Sequence, residues 1–319
     1  MKGSSADSAQ GGAGLSIAVC VGATRSASLP GLIRAIRCQD WPEWDLLILG
    51  QGPREVALRE AVNSASGGDP RIQYHHLDRS GLSRARNRSI ELAANPIVAF
   101  TDDDCEPHSS WLSTLAAEFL ADPALGVVGG AVLRPRARLG PLATCPAVTP
   151  SEALYEPGGD RLQPPPGWDW IGANFAIRRE VALRIGSFDQ CLGAGADFPA
   201  GEDTDYKLRL ESSGIRMLST PRSVVVHSAG VRRGMLAWHS QANYAAGNGA
   251  VAAKLTLMND ARGEQWLEET RSAVRGAGLR DPVRILPGAR YARYARKFEA
   301  AYRRCLNTYR VSGGLLQHR

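Results

Sequence analysis

The chain has 319 residues, of which 44% are hydrophobic and 22% are charged, and these proportions are typical of a globular protein. Its length suits one large α/β domain with an appendage, or two ordinary domains. Residues 1–14 are rich in Gly, Ser and Ala without the apolar segment of a signal peptide, and no apolar run in the sequence approaches the ~18 residues that cross a bilayer. The six cysteines form no Cys-x-x-Cys pair. We therefore expect a cytoplasmic protein with a disordered N-terminal tail and reduced thiols.

The net charge of +6 is concentrated near the C-terminus. Eight basic residues and one acidic residue lie between Pro282 and Arg310, a local charge of +7 that leaves −1 for the remainder of the chain. The basic character therefore belongs to one segment, and we expect no nucleic-acid partner for the protein as a whole.

Apolar, β-branched runs alternate with helical segments in the first third of the chain. The pattern predicts strands over Leu15 to Val21, Asp45 to Leu49 and Arg71 to Leu77, and helices over Pro30 to Cys38 and Arg54 to Ala65. Strands separated by such helices are typical of a parallel, doubly wound α/β sheet, since right-handed crossovers need about ten residues or more. Ligands of such sheets bind at the carboxyl ends of the strands.

A further helix is predicted from Ser80 to Asn95, where Pro96 stops it. Arg84 and Arg88 share one face of this helix, while Arg86 points elsewhere. These arginines are either solvated, or they brace the acidic cluster that follows or contact an anionic ligand. Their place directly before that cluster favours the second interpretation.

The stretch Ile97 to Glu106 runs from apolar and small residues into Asp102, Asp103 and Asp104. It is typical of a buried parallel strand that ends at the edge of a sheet. Three adjacent carboxylates repel one another unless a cation lies among them, and Mg²⁺ or Mn²⁺ takes oxygen ligands and bridges to phosphates. The alternative is a solvated acidic turn that caps the helix starting near Ser109.

The second half of the chain alternates in the same way around one long loop. Helices are predicted over Ser109 to Leu120, Arg179 to Ile185 and Asp203 to Ser213, and strands over Gly126 to Leu133, Trp168 to Ile177 and Ser223 to Val226, with His227 directly after the last strand. The Pro- and Gly-rich stretch from Pro135 to Pro166 is expected to be a loop that is either disordered or part of the site.

Five short motifs resemble, in order and approximate spacing, those of the inverting family 2 glycosyltransferases of the GT-A fold. They are Gly81 to Asn87, Phe100 to Asp104, Gly186 to Asp189, Gly201 to Asp205 and Val226-His227. The resemblance covers residues 15–230 and implies an α/β fold with a mostly parallel, doubly wound sheet flanked by helices. It divides this region into a nucleotide-sugar half (15–108) and an acceptor half (109–230), followed by a C-terminal helical appendage (231–319).

The resemblance also implies roles for individual residues. Asp102 and Asp104 would hold the donor and a divalent metal, Mn²⁺ or Mg²⁺, with His227 as a further metal ligand. Asp203 would be the catalytic base, with Glu202 as its main rival for that role. The expected donor-binding residues are Val21, Gly22, Arg25, Gly50, Gln51, Arg86, Asp102 and Asp103, and the expected acceptor-binding residues are Trp170, Gly172 and Asn174.

Two positions depart from the family pattern. The usual Thr-x-Asn-Arg sequence after the first strand is replaced by Gly22-Ala23-Thr24-Arg25, and the aspartate that usually reads the nucleobase is replaced by Gly50. A UDP-sugar is still the first donor to expect, with Gln51 or a residue near Asp78 reading the base.

The chemistry of sugar transfer supports the resemblance independently. It develops negative charge on a diphosphate leaving group and needs one carboxylate base, and the sequence offers two separate carboxylate clusters. A nucleotidyltransferase would use the acidic triplet but not Glu202-Asp203. A non-catalytic nucleotide-sugar-binding module gives no reason for His227 and the aspartates to coexist, and a glycosidase has no use for a metal-binding triplet.

The C-terminal region is predicted to be helical over Met235 to Met258, Glu264 to Val274 and Arg290 to Arg310, with Gly247 and Gly249 interrupting the first helix. The last helix carries an aromatic stripe bordered by basic residues. The members of this stripe are Tyr291, Tyr294, Phe298, Tyr302 and Tyr309. The stripe either packs on the catalytic domain or lies on an anionic membrane through residues 282–310, near an acceptor that is lipid-linked or a glycan.

Overall fold

The computed structural model describes residues 14–21, 27–136, 143–158, 163–277 and 285–319. The strands in these residues are, in chain order, β1 (Leu15–Val21), β2 (Trp44–Gln51), β3 (Ile72–Leu77), β4 (Ile97–Asp102), β5 (Glu106–Pro107), β6 (Val127–Leu133), β7 (Ala143–Thr144), β8 (Ala153–Tyr155), β9 (Asn174–Arg178), β10 (Met217–Val226), β11 (Arg232–Arg233), β12 (Tyr309–Ser312) and β13 (Leu315–His318). The helices are α1 (Leu29–Arg37), α2 (Glu55–Ser66), α3 (Leu82–Leu92), α4 (Trp111–Ala121), α5 (Arg179–Ile185), α6 (Glu202–Ser212), α7 (Met235–Leu257), α8 (Arg262–Ala277) and α9 (Ile285–Thr308).

The central sheet has the strand order β3-β2-β1-β4-β9-β6-β10-β5, and β8 also pairs with β10. The pairs β1–β2, β2–β3, β1–β4 and β6–β10 are parallel, as the spacing of strands and helices predicted. The predicted α/β sheet flanked by helices is therefore confirmed. Strand β9, however, lies antiparallel between β4 and β6, because the chain reaches it from the other end of the sheet.

Both faces of the sheet are buried, and the period-2 alternation along β1 shows how. Leu15, Ile17 and Val19 face a core built with α1, α2 and α4, whereas Ala18 faces a second core built with α3, α5 and α6. Strands covered by helices on both sides favour apolar residues on both faces, which explains the mostly apolar run over Leu15–Val21, and its buried Ser16 donates a hydrogen bond of 2.7 Å to Asp45.

Two predictions for the middle of the chain need correction. Within the Pro- and Gly-rich stretch the chain forms β7 and β8, and Val148 bridges to Val132, so the described part of this stretch is more ordered than a bare loop. The predicted strand from Trp168 to Ile177 begins only at Asn174. The preceding residues turn across the end of the sheet, where Trp168 and Trp170 fill the second core.

The C-terminal helices pack onto the α/β unit through a third core. Phe298, Tyr302 and Tyr309 of the aromatic stripe are buried there, together with Leu192 and Phe198 from the segment before α6. This part of the stripe therefore packs on the protein, as in the first of the two alternatives, whereas Tyr291 at its beginning is 53% exposed. No helix in the described part of the chain is long and apolar enough to cross a membrane.

Helix α7 is continuous through Gly247 and Gly249, contrary to the predicted interruption. A side chain at Gly247 would meet the backbone of Ala200, and one at Gly249 would come within 2.1 Å of the Phe298 carbonyl oxygen. The two glycines thus let α7 approach its neighbours on two sides, and packing outweighs their cost to the helix of about 1 kcal/mol each.

Candidate active site

The acidic segment after β4 meets His227 because β5 pairs antiparallel with the end of β10. The imidazole Nε2 of His227 lies 3.0 Å from Oδ1 of Asp104, and the Asp104 carbonyl accepts a hydrogen bond from the Ala229 amide. Asp103 and Asp104 are buried, whereas Asp102 is half-buried. Residues more than a hundred positions apart thus form one cluster at the carboxyl end of β4.

The donor set of this cluster fits a divalent cation. Potential ligand atoms of Asp102, Asp104, Cys105 and His227 all lie within 4.8 Å of one another. Burial and the neighbouring Asp102 and Asp104 raise the pKa of the Cys105 thiol well above its ordinary value. Mg²⁺ and Mn²⁺ prefer oxygen donors to a thiol, so Cys105 is the weakest candidate of the four. The remaining two carboxylates and one imidazole suit Mn²⁺, and also Mg²⁺ where water completes the shell.

The imidazole of His227 is oriented by its surroundings. Its Nδ1 lies 2.9 Å from the Pro146 carbonyl, which can only accept, so Nδ1 carries a proton and Nε2 faces Asp104. Burial lowers the pKa of His227, but the hydrogen bond and charge of Asp104 outweigh this and raise the pKa above its ordinary value. A side chain at Gly230 would collide with the ring, so Gly230 packs flat against it.

The second pair of carboxylates stands at the N-terminus of α6. Oδ2 of Asp203 accepts a hydrogen bond of 2.9 Å from the Gly172 amide, and Oδ1 accepts one of 2.8 Å from the Thr204 amide. Oε1 of Glu202 pairs at 3.1 Å with Nη1 of Arg86, whose Nη2 donates to the Gly172 carbonyl. Gly172 therefore connects the two acids through its backbone. A Cβ there would lie 2.5 Å from Nη2 of Arg86, so only glycine leaves room for the guanidinium.

The two acids differ in their access to solvent. Glu202 is 7% exposed and Arg86 is 2% exposed, whereas Asp203 is half-buried. Burial and the charge of Asp203 raise the pKa of Glu202 to about 7, against the opposing charge of Arg86. Glu202 is thus engaged inside the protein, and Asp203 is the acid that an incoming molecule can reach.

The expected donor-binding residues fall into three groups. Gly22 and Arg25 lie outside the described residues. Val21 and Gly50 end neighbouring strands in register, as predicted for a ligand edge, and Asp102 and Asp103 lie at the end of β4. The side chains of Gln51 and Arg86 are engaged in hydrogen bonds within the protein.

Gln51 and Gly50 are explained by contacts that the sequence does not reveal. The side-chain carbonyl of Gln51 accepts a hydrogen bond of 2.6 Å from the Gly81 amide and holds the N-terminus of α3. A side chain at Gly50 would come within 2.2 Å of the Tyr74 hydroxyl. Tyr74 therefore occupies the space in which the usual aspartate would stand.

The fold places the expected acceptor-binding residues in two different environments. Trp170 stacks on Phe175 in the second core, and the buried Asn174 accepts from Trp111 Nε1 and donates to the carbonyls of Ala131 and Ser223. Their side chains thus face the interior of the protein. Gly172 remains next to Asp203 through its backbone.

Two residues of the site, Arg232 and Tyr244, lie after the last motif, and no pattern in the sequence marks them as site residues. Tyr244 lies near Arg232 and is 43% exposed. Burial raises the pKa of the Tyr244 phenol, Arg232 opposes this, and the charges of Asp203 and Asp102 add to the increase. Both carboxylates thus act on one phenol, which places Tyr244 near the two acidic clusters.

Comparison with known families identifies the family to which the chain belongs. The sequence model of glycosyl transferase family 2 matches residues 16–186. The chain belongs to glycosyl transferase family 2. It is accordingly a glycosyltransferase, and the resemblance drawn from its motifs is confirmed.

Several curated relatives of this family 2 protein are named for glycosyl transfer or polysaccharide synthesis. The glucosyl-dolichyl phosphate glucuronosyltransferase of Haloferax volcanii is 24% identical over 221 residues, which cover 67% of this chain and 68% of the relative. The succinoglycan biosynthesis protein ExoM of Rhizobium meliloti is 27% identical, with 73% and 72% covered. The pre-mycofactocin glycosyltransferase of Mycobacterium tuberculosis is 28% identical over 48% of this chain, and the match spans only 31% of that relative.

Solved structures show the same GT-A fold. The mannosyltransferase PcManGT from Pyrobaculum calidifontis, in complex with GDP-Man and Mn²⁺, superposes with a TM-score of 0.59 at 20% identity, covering 92% of this chain and 86% of that one. Residues 1–349 of TarS from S. aureus, in complex with UDP-GlcNAc, give a TM-score of 0.53 at 13% identity, with 96% of both chains covered. At these identities the likeness establishes the fold.

Proposed function

We propose that this family 2 glycosyltransferase moves a sugar from a nucleoside diphosphate sugar to an acceptor hydroxyl, in a metal-dependent reaction that inverts the anomeric centre. The observation that carries the proposal is the proximity of two separate acidic sites, because Gly172, which binds Asp203, lies two residues before Asn174, the strand partner of Thr101 at the end of β4. One is the Asp102, Asp104 and His227 cluster, and the other is Asp203 at the start of α6. Tyr244 is influenced by the acids of both.

The first site would receive the diphosphate of the donor. Asp102, Asp104 and His227 would hold Mn²⁺ or Mg²⁺, which when bound offsets the negative charge that develops on the leaving diphosphate. The GDP-Man and Mn²⁺ bound to PcManGT and the UDP-GlcNAc bound to TarS support a nucleotide-sugar donor. A UDP-sugar is the donor to test first. Since Tyr74 fills the place of the usual base-reading aspartate, groups other than residue 50 must read the base.

The second site would activate the acceptor. An acceptor hydroxyl is a poor nucleophile at neutral pH, so a carboxylate within hydrogen-bond reach must take its proton as the new bond forms. Both oxygens of Asp203 accept backbone amides, which hold the carboxylate in one orientation, and the residue remains partly open to solvent. Glu202 is instead paired with Arg86, and we assign it the task of holding the guanidinium below the cleft.

The acceptor is either lipid-linked or a glycan. The name of the Haloferax volcanii relative refers to a dolichyl phosphate sugar, and that of ExoM refers to succinoglycan synthesis. The sequence predicts a cytoplasmic protein, and we propose that it contacts a membrane peripherally to reach a lipid-linked acceptor. Family membership and the two acidic sites together disfavour a nucleotidyltransferase or a non-catalytic binding module.

The decisive experiment compares Asp203→Asn with Glu202→Gln. Asparagine keeps the size of Asp203 but cannot accept the proton, so we expect transfer to fall by about two to four orders of magnitude while donor binding is retained. Glutamine at position 202 can still accept from Arg86 and should leave far more activity than Asp203→Asn. Turnover is measured with a panel of nucleotide sugars, and the anomeric configuration of the product is read by NMR.

The reverse order of activities would assign the base to Glu202. A product with retained configuration would remove the inverting mechanism altogether.

A further inference from the structure

Large apolar side chains are exposed where α7 begins. Met235 and Leu236 are each 68% exposed, although the rest of α7 is largely buried from Ala245 onward. Trp238 follows one turn after Met235 and is half-buried. Adjacent exposed apolar residues of this kind are unusual on a soluble surface and mark a contact with another molecule or with lipid.

Basic side chains of α9 border this apolar end. The guanidinium of Arg293 lies 4.8 Å from the centre of the Trp238 ring, which fixes the two helices side by side. A surface hollow between the helices is lined by Trp238, Arg293, Arg296, Lys297 and Ala300. We call Met235, Leu236, Trp238, Arg293, Arg296 and Lys297 the α7/α9 face.

The positive charge of this face is not neutralised by the acid closest to it along α9. Glu299 pairs at 2.6 Å with Arg271 and at 2.6 Å with Arg303, so its charge is already engaged with other arginines. None of the described residues that line the hollow is Asp or Glu. Cations thus stand beside exposed apolar side chains and an indole, which is the composition of a surface that inserts into the headgroup layer of a membrane.

We propose that the α7/α9 face docks on an anionic phospholipid bilayer. Arg293, Arg296 and Lys297 meet lipid phosphates, while Met235, Leu236 and Trp238 enter the boundary between headgroups and acyl chains. Phe298 and Tyr302 of the aromatic stripe take no part, because they are already covered by the protein. A nucleic acid would match the cations but gains little from Met235 and Leu236, so the apolar residues favour lipid.

Docking at this face would bring the active site to the membrane surface. Helix α7 begins shortly after His227 and carries Tyr244, whose phenol is acted on by the charges of both Asp203 and Asp102. The inference rests on the proposed function in one respect: the purpose of docking is access to a lipid-linked acceptor. Docking itself needs neither donor nor acceptor and can be measured without them.

The test is co-sedimentation of the full-length protein with vesicles of phosphatidylcholine alone or mixed with phosphatidylglycerol. We expect binding to the mixed vesicles that weakens as salt rises, since exposed charges are screened within about 8 to 10 Å. Two double variants separate the contributions, namely Met235→Ser with Leu236→Ser, and Arg296→Gln with Lys297→Gln. Each should weaken binding about tenfold or more, because each lysine or arginine at an anionic surface and each inserted apolar side chain contributes appreciably.

The matched control is Leu183→Ser with Arg184→Glu on α5, where an exposed leucine and an exposed arginine lie outside the face. It should bind vesicles like the wild type, and all variants should keep the wild-type melting temperature. Absence of wild-type binding to anionic vesicles, or equal binding by all three variants, overturns the proposal. So does binding to RNA that the two face variants lose while their vesicle binding is unchanged. If transfer proves not to use Asp203 but the vesicle result holds, the mechanism is wrong and the docking face stands.

Discussion

At the scale of single residues, the contact between Asp104 and His227 predicts that binding of a nucleoside diphosphate depends on a divalent metal. In the wild type a nucleoside diphosphate should raise the melting temperature more in Mn²⁺ than in chelator, because a ligand that binds the folded state stabilises it by mass action. Asp104→Asn weakens the donor set and should abolish that difference. Asp40→Asn, an exposed aspartate away from the cluster, is the control. A chelator-insensitive wild type would show that the cluster does not bind a cation for the donor.

At the same scale, the raised pKa of Glu202 predicts that the stability of the protein depends on pH. Burial and Asp203 raise its pKa from an ordinary 4.5 to about 7 in the folded protein, so folding favours the protonated form. The stabilisation from this group is complete below about pH 4.5 and is lost as the pH rises through 7. Glu202→Gln stays neutral throughout, so its melting temperature should fall less than that of the wild type between pH 5 and about 8. An equal fall in the melting temperatures of the two proteins over this pH range would contradict this expectation.

At the scale of elements, α7 is tied to α6 by a buried ion network. Nζ of Lys254 lies 2.8 Å from Asp189 and 2.7 Å from Asp205, and all three side chains are buried. Lys254→Met removes the cation between two buried carboxylates and leaves Asp205 with only its pair to Arg209, so we expect a loss of ~3–5 kcal/mol in the free energy of unfolding. Arg88→Met removes only an exposed pair with Glu91 and should cost ~1 kcal/mol or less. Urea denaturation measures both, and equal losses would show that the network is not needed.

At the scale of the whole molecule, the C-terminal region completes the fold of the α/β unit. Phe298 and Tyr309 fill the third core against Phe198, and the Leu316 amide donates a hydrogen bond of 2.7 Å to the buried Asp189. Deleting residues 285–319 should therefore give an insoluble or unfolded protein, because it exposes the third core and leaves Asp189 with one partner fewer. Circular dichroism and limited proteolysis of the truncated chain check this. A folded truncation with an unchanged melting temperature would show that the region is a separable appendage.

The sequence by itself determined the strand and helix pattern of the first half, the family and the positions of the two acidic clusters. These features are local, since an apolar run such as Leu15–Val21 or a cluster such as Asp102 to Asp104 is written in adjacent residues. The order of the five motifs along the chain then identified the family, and two of them, Phe100 to Asp104 and Val226-His227, stand at the ends of strands where ligands of such sheets bind.

Only the tertiary structure decided which side chains meet. It set β9 antiparallel, filled the space above Gly50 with Tyr74, and buried Trp170. It also paired Glu202 with Arg86 and Lys254 with Asp189, across 116 and 65 positions of sequence. No periodicity encodes such pairs, because they arise from how distant elements pack, and a buried charge is stabilised only by whichever partner that packing brings within hydrogen-bond distance.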